Sequence, residues 1–339
     1  MAIQIEAPLR VSVIIINWNG MEFIERCLNS IIASDMDKSG YEVIVADNAS
    51  GDNSASLVRE RFPGVRLLEF KENNGFCKGN NLAASSAKGK YLFFLNNDTR
   101  IEPWTIRKML EKIEGDSRIG ICGCKMVNYN GTVVFHTGIG MDFLGYPVRK
   151  RIPFYVEGSA MMIRKSLFDN LGGFDEDYFM FHEDIDLAWR VQISGYSIGV
   201  TDDAVVYHYL GANAGGGECA KENRFMTTTF RRYYCERNNI TTLLKNYSLI
   251  YLLLIFPVYL FISFVELLLF TITGKIPVVK AYLKAYWWNI RNLKQTVRKR
   301  ILVQRNRKLG DSAILARMSK IPGKLFVLRE FGFPKIKDA

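Results

Sequence analysis

Four times in the first hundred residues, a short apolar run stops in a loop of Asn, Asp and Gly, and a helical pattern follows. The runs are Val11–Ile16, Tyr41–Ala46, Val65–Phe70 and Tyr91–Leu95. Their loops are Asn17-Trp18-Asn19-Gly20, Asp47 to Asp52, Glu72 to Asn81, and Asn96-Asn97-Asp98-Thr99. Apolar runs of this length suit strands buried on both faces of a parallel sheet. The first helix starts at about Met21, with Phe23, Ile24, Cys27, Leu28 and Ile31 at helical spacing; later ones reach Arg61 and Ala87. Strands alternating with helices predict βαβ units and a mostly parallel sheet flanked by helices. Right-handed crossovers then put all four loops on one sheet edge, where open α/β folds bind their ligands. Such loops also have a plain reading, because Asn, Asp and Gly are what turns are made of. A carboxylate flanked by two amides, as at Asn96-Asn97-Asp98, is equally suited to hold a divalent cation against a bound phosphate.

The middle of the chain continues the alternation. Glu102 to Ile113 reads as a helix with Pro103 in its first turn, and Ile119 to Val127 as a strand. Residues 128–155 are rich in Gly and Pro; His136 among them is read as structural. Val156 to Ile163 resumes strand character, with Glu157 at its start, facing solvent or a cleft. From Glu183 the spacing of Leu187, Val191 and Ile193 predicts a helix with Glu183, Asp184 and Asp186 in its first turn. Acids there complement the helix dipole, and Asp186 is placed to pair with Arg190 at i,i+4. The other reading is a general base, its pKa raised by aromatic neighbours and a second carboxylate. Gly199 to Tyr207 is a late strand ending at His208, a candidate metal ligand in a chain with 3 histidines.

Charge divides the chain. Residues 1–230 hold 24 Lys/Arg against 29 Asp/Glu, whereas residues 231–339 hold 21 against 5. This asymmetry predicts a first domain at 1–230 and a C-terminal helical, membrane-associating region with a basic tail at 231–339. Tyr247 to Thr273 is almost wholly apolar, long enough for one bilayer span. A single span would carry the basic tail across, against the positive-inside tendency. The expected arrangement is therefore an in-plane or re-entrant helical pair broken near Pro257. Tyr282, Tyr286, Trp287 and Trp288, set among Lys280, Lys284, Arg291 and Lys294, form the expected interfacial belt on an anionic leaflet. The apolar run argues against a nucleic-acid tail. The 6 cysteines show no paired metal spacing and are read as reduced thiols, and residues 1–10 carry no secretory pattern.

These pieces together resemble family 2 glycosyltransferases of the GT-A fold, in the rhamnosyltransferase-like branch. The resemblance covers roughly residues 9–212. It rests on Val13 to Gly20, Val45 to Asp52, Asn73-Asn74-Gly75-Phe76 with Gly79-Asn80-Asn81, and Leu95 to Asp98. It continues through Gly172 to Glu176, Phe181 to Arg190 and Val206-Tyr207-His208. The resemblance implies that Asn17 lines a nucleotide pocket and that Asp47 hydrogen-bonds the base. Asn74, Lys78 and Asn81 would lie beside the nucleotide and its phosphates. Asn96, Asn97 and Asp98 stand where the family has its Asp-x-Asp motif, with Asp98 and His208 as ligands of Mg²⁺ or Mn²⁺. Asp184 matches the catalytic base, and Glu157, Glu183 and Trp189 match positions near the acceptor. The chain departs from the pattern at Asn96, where an amide replaces an acid. The implied activity is inverting transfer of a sugar from a nucleotide-diphosphate donor to a lipid-linked or cell-envelope glycan, at the cytoplasmic face of the membrane. An inactive nucleotide-sugar-binding membrane scaffold is the rival that Asn96 supports. A nucleotidyltransferase is a second rival, without a basic phosphate motif near Asn17.

Overall fold

The computed structural model describes residues 9–148, 152–209, 219–220, 224–332 and 334–337. In chain order, the first part runs β1 (Val11–Asn17), α1 (Ile24–Ile32), β2 (Tyr41–Asp47), α2 (Ser54–Arg61), β3 (Arg66–Glu69), α3 (Gly75–Ser86) and β4 (Tyr91–Asn96). Next come β5 (Thr99–Ile101), α4 (Thr105–Gly115), β6 (Ile119–Asn128), β7 (Val134–His136), β8 (Gly140–Met141) and β9 (Pro147–Val148). Then follow β10 (Ala160–Arg164), α5 (Lys165–Asn170), α6 (Glu183–Ile193) and β11 (Ser197–His208). By internal packing the described residues form two compact units. The first is drawn from Met1–Gly138, Val156–Met180 and Tyr196–Tyr209; the second is drawn from Ile139–Tyr155, Phe181–Gly195 and Leu210–Ala339. The division thus differs from a single cut near residue 230, since α6 packs with the C-terminal helices.

The first unit is a mixed sheet of order β3-β2-β1-β4-β10-β6-β11-β5, with β7 on the side of β6. β1 to β4 pair in parallel, so their four carboxyl ends share one edge, as the sequence pattern requires. Asn17 sits level with Asp47 there, and Ile16 with Asn96. Val13, Ile15, Val45 and Phe93 join one buried cluster with Ile24, Cys27, Leu28 and Ile31 of α1. Each such side chain contributes ~1.5–3 kcal/mol relative to exposure.

Two departures from expectation shape the site. The strand expected from Val156 begins at Ala160 and runs antiparallel between β4 and β6, leaving Glu157 in the turn before it. The three-residue β5 was not foreseen. It turns back from β4 through Asn97-Asp98 and pairs antiparallel with β11, setting Thr99 opposite His208. A register irregularity between Thr201 and Val205 lets β11 pair onward with both β6 and β5.

The second unit contains α6 and the C-terminal helices. These are α7 (Thr229–Asn246), α8 (Leu249–Ile272), α9 (Ile276–Arg291), α10 (Leu293–Arg305), α11 (Asp311–Leu315) and α12 (Gly323–Phe331). The expected break at Pro257 does not occur, and α8 is one continuous helix. Proline frees the carbonyl four residues back, at Leu253, which lies on the exposed side, where no packing opposes the adjustment. The chain turns instead at Gly274, whose φ of +70° suits glycine, and Lys275 N–H closes onto the Phe270 carbonyl at 2.8 Å. Tyr282 is also corrected. It is buried with Phe270 and Val278 and belongs to the core, not to an interfacial belt.

Candidate active site

At the shared edge of β1, β2 and β4, a buried polar network replaces the apolar core. Asn17 is fully buried. Its Nδ2 donates to Asp47 Oδ1 at 2.8 Å and to Ser54 Oγ at 2.8 Å. Its Oδ1 accepts from Asn97 Nδ2 at 2.8 Å. Asp47 also accepts from the Ser50 hydroxyl at 2.6 Å and the Ser50 N–H at 2.9 Å. Asn17 therefore links the second and fourth loops through its amide. Gly20 is required beside it, because a Cβ there would collide with Asn97 Nδ2 and Asn17 Oδ1. Ser50, Ser54 and Asn48 were given no role from sequence, although Asn48 and Ser50 lie within the Asp47–Asp52 motif. Asn48 Nδ2 donates to the Gly75 carbonyl at 2.9 Å, and its Oδ1 accepts from Asn74 N–H at 3.3 Å.

The turn from β4 to β5 places Asp98 Oδ1 3.1 Å from His208 Nε2, both side chains largely buried. Burial alone lowers the pKa of His208, but the hydrogen bond and charge of Asp98, with the charge of Glu157, outweigh it and hold it above the ordinary value. Ser159, at the head of β10, donates to Glu157 Oε2 at 3.2 Å, and His136 Nε2 lies 3.3 Å from Glu157 Oε1. Burial opposes the Glu157 charge. His136, the charge of His208 and Ser159 win, and bring its pKa down to about 2. His136, assigned no role from sequence, is thus joined to the site; only its rarity in the chain could have flagged it. Asn96 Oδ1, His208 Nδ1 and His136 Nδ1 are buried without a hydrogen-bond partner. Among the described residues, no three Asp, Glu, His or Cys side chains converge into a complete metal cage. The Asp98 carboxylate is nonetheless a donor that suits Mg²⁺ or Mn²⁺, and the adjacent imidazole adds a nitrogen donor better matched to Mn²⁺, the remaining positions falling to substrate oxygens and water. The residues present fit a divalent cation shared with a ligand.

Along α3, the expectations divide. Asn74 stands at the N-terminus of the helix, its Nδ2 bonded to the Glu72 carbonyl at 3.1 Å. Lys78 is partly exposed and 3.6 Å from Glu72. Asn81 is a correction. Its amide donates to the Phe174 carbonyl at 2.9 Å and accepts from Phe174 N–H at 2.9 Å, so both ends staple the 173–176 loop to α3 and neither is free for a nucleotide.

In the second unit, α6 presents the acidic group. Phe181 and His182, which precede it, both have left-handed backbones, with φ of 66° and 65°. Such geometry costs ~1–3 kcal/mol per residue and gathers at functional sites. Asn238 Nδ2 steadies the turn by donating to the Phe181 carbonyl at 2.7 Å. Glu183 is buried; burial, then the charge of Asp184, raises its pKa well above the usual carboxylate range. Asp184 is half-buried, and its Oδ1 accepts from Ile185 N–H at 2.8 Å. Asp186 takes the structural reading, meeting Arg190 Nε at 2.8 Å, Lys245 Nζ at 3.0 Å and Asn246 Nδ2 at 3.1 Å. Trp189 does not line an acceptor surface. It is fully buried, edge-on to Phe154 and Tyr247, because the inward stripe of α6 needs a large apolar filler.

The first unit's mixed sheet, with these groups at its strand tips, shares its fold with GT-A glycosyltransferases. Residues 12–172 match the family model described as Glycosyl transferase family 2. Among curated proteins, the O-antigen biosynthesis protein RfbC of Myxococcus xanthus is 26% identical over 60% of this chain, which spans 18% of that protein's length. The N-acetylglucosaminyl-diphospho-decaprenol L-rhamnosyltransferase of Mycobacterium tuberculosis is 26% identical over 60% of this chain and 77% of its own. The crystal structure of mannosyltransferase PcManGT from Pyrobaculum calidifontis, in complex with GDP-Man and Mn²⁺, superposes with a TM-score of 0.54. It covers 88% of each chain at 19% identity, a likeness of fold.

Proposed function

We propose that this protein transfers a hexose from a nucleotide-diphosphate sugar to a hydroxyl of a lipid-linked or cell-envelope glycan, with inversion, at the cytoplasmic face of the membrane. The observation that carries the reading is the Asp98–His208 pair at the tips of β4 and β11. It stands on the sheet edge that also carries the Asn17–Asp47–Asn97 network. The names of the rhamnosyltransferase and O-antigen relatives support the lipid-linked glycan, and the GDP-Man and Mn²⁺ of the mannosyltransferase complex support donor and cation.

In this reading Asp98 and His208 would hold the divalent cation. When bound, that cation neutralises charge on the departing diphosphate. The Asn17–Ser50–Ser54 network fixes Asp47 as a hydrogen-bond acceptor for the nucleobase. Glu157, tied to His136, stands ready to accept from a sugar or acceptor hydroxyl. Asp184 takes the proton of the attacking hydroxyl as the new glycosidic bond forms and the donor's bond to diphosphate breaks. One displacement needs one base and no covalent sugar–enzyme intermediate, unlike a retaining double-carboxylate site. The inactive-scaffold rival has no comparable support, since Asn96 keeps a carboxylate two positions on.

The test is sugar transfer from a panel of nucleotide sugars, with Mn²⁺ or EDTA, for the native chain and Asp184→Asn. Removing a general base is expected to lower kcat by a factor of about 10²–10⁴. Donor affinity, by calorimetry, should stay within about twofold. Full turnover in the variant would remove Asp184 from its role.

A further inference from the structure

The outward side of α8 has no counterpart elsewhere among the described residues. From Leu249 to Ile272 its sole charged residue is Glu266. The inward stripe is Ile255, Tyr259, Ser263, Glu266 and Phe270, at helical spacing, and its polar members are all engaged within the second unit. Tyr259 and Ser263 donate to Glu236 of α7, Ser263 at 3.1 Å. Glu266 accepts from Lys324 of α12 at 2.6 Å, Tyr282 of α9 at 3.0 Å and Arg232 of α7 at 3.2 Å. Facing away, Ile250, Leu253, Leu254, Phe261, Phe264 and Ile272 are each 63–73% exposed. The helix is inverted relative to an ordinary surface helix: its polar side is inside and its apolar side is outside.

We propose that α8 is an in-plane membrane helix, its apolar side sunk into one leaflet of an anionic bilayer, rather than a transmembrane span. The inference deepens the membrane-face part of the reading above and rests on it. Length does not decide the matter, since a helix of 24 residues is about 36 Å long and could cross a hydrocarbon core. The inward contacts decide it. Crossing would either strip Glu266 of Lys324 and Arg232 or draw Glu236, Lys324 and Arg232 into hydrocarbon with it. Both are costly, because buried charges need their partners and hydrocarbon offers none. Half-immersion buries the apolar side and leaves the network untouched.

Charge selects the occupant. Residues 275–339 carry 17 Lys/Arg and 3 Asp/Glu. On α9, Lys280 and Lys284 flank the exposed Leu283 and Trp287, a pairing suited to the headgroup layer. Two copies of so basic a region repel each other, whereas anionic headgroups attract each cation near the surface.

The experiment uses the full chain with Cys219 and Cys235 replaced by serine. One environment-sensitive fluorophore is placed on a cysteine at position 250, 261 or 272. Sucrose flotation is run with phosphatidylglycerol/phosphatidylcholine vesicles and with phosphatidylcholine alone, and label depth is read with lipid-borne quenchers. We expect at least tenfold stronger binding to the anionic vesicles and one shallow depth for all three labels. Phe261→Glu/Phe264→Glu should weaken binding at least tenfold with an unchanged melting temperature. A label at 261 near the bilayer centre, with 250 and 272 near opposite surfaces, would establish a span and overturn the proposal. So would failure to float, including failure accompanied by a concentration-dependent dimer. None of these readouts involves sugar transfer, so failure here is distinct from failure of the catalytic reading.

Discussion

At the scale of single residues, the site is governed by which polar atoms are already satisfied. Asn17 uses both ends of its amide to tie Asp47 to Asn97, and Gly20 leaves the space for that bridge. Gly20→Ala should break the Asn17–Asn97 bond and weaken nucleotide-sugar binding about tenfold, one hydrogen bond's worth of free energy. Calorimetric affinity checks this; an unchanged constant would leave the bridge without a role. His182 gives a pH signature. Burial first, and the charge of Arg231 second, push its pKa down to about 3, with Asp186 opposing. The unfolded chain takes up that proton near pH 6.5, the folded one only near the depressed value. Stability is therefore complete above pH 6.5 and lost as pH falls toward 3. Between pH 7 and 5 the loss from this group is about 2 kcal/mol. His182→Asn, whose side chain tolerates the left-handed backbone, should flatten that part of the curve in urea titrations at the two pH values. A slope equal to the native one would count against the buried neutral imidazole.

At the scale of elements, α6 shows how one helix holds two kinds of carboxylate. Asp184 is half-buried near the N-terminus, while Asp186 is locked to Arg190, Lys245 and Asn246 in the interior. Removing one partner of a buried ion cluster strands the others, at a cost of about 3–5 kcal/mol. Asp186→Asn should destabilise the fold by that amount in chemical denaturation, and a loss under about 1 kcal/mol would contradict the cluster. Legibility from sequence varied among elements for physical reasons. β1 to β4 were readable because their apolar runs are long and their loops alike. β5 was not, because Thr99-Arg100-Ile101 has no apolar period and becomes a strand only by pairing with β11. Asn81 and Trp189 matched an expected pattern in type, yet each is consumed by internal packing that depends on residues far along the chain.

At the scale of the whole molecule, the proposed cation site predicts that donor binding is coupled to the folded state. Mn²⁺ together with the correct nucleotide sugar should raise the melting temperature, and EDTA should cancel the rise. At a ligand concentration of 100 times Kd, the stabilisation is about 2.7 kcal/mol. Asp98→Ala should abolish the Mn²⁺-dependent part; a shift that survives it would place the cation elsewhere. The contrast in charge between residues 1–230 and 231–339 is what the two proposals together require, a cation-binding domain and a region drawn to an anionic surface.

The sequence by itself determined the parallel strands, their common edge and the acid at position 98, because periodicity and loop composition are local properties. It also marked the apolar stretch at 247–273, although it expected a break near Pro257. Tertiary structure alone decided that Asp98 meets His208, that His136 holds Glu157, and that Asp186, Asn81 and Trp189 serve the scaffold. It also decided that α8 runs straight through Pro257 and turns its polar side inward. Those outcomes depend on pairings between residues tens of positions apart, and only the packed chain brings such residues within hydrogen-bonding distance.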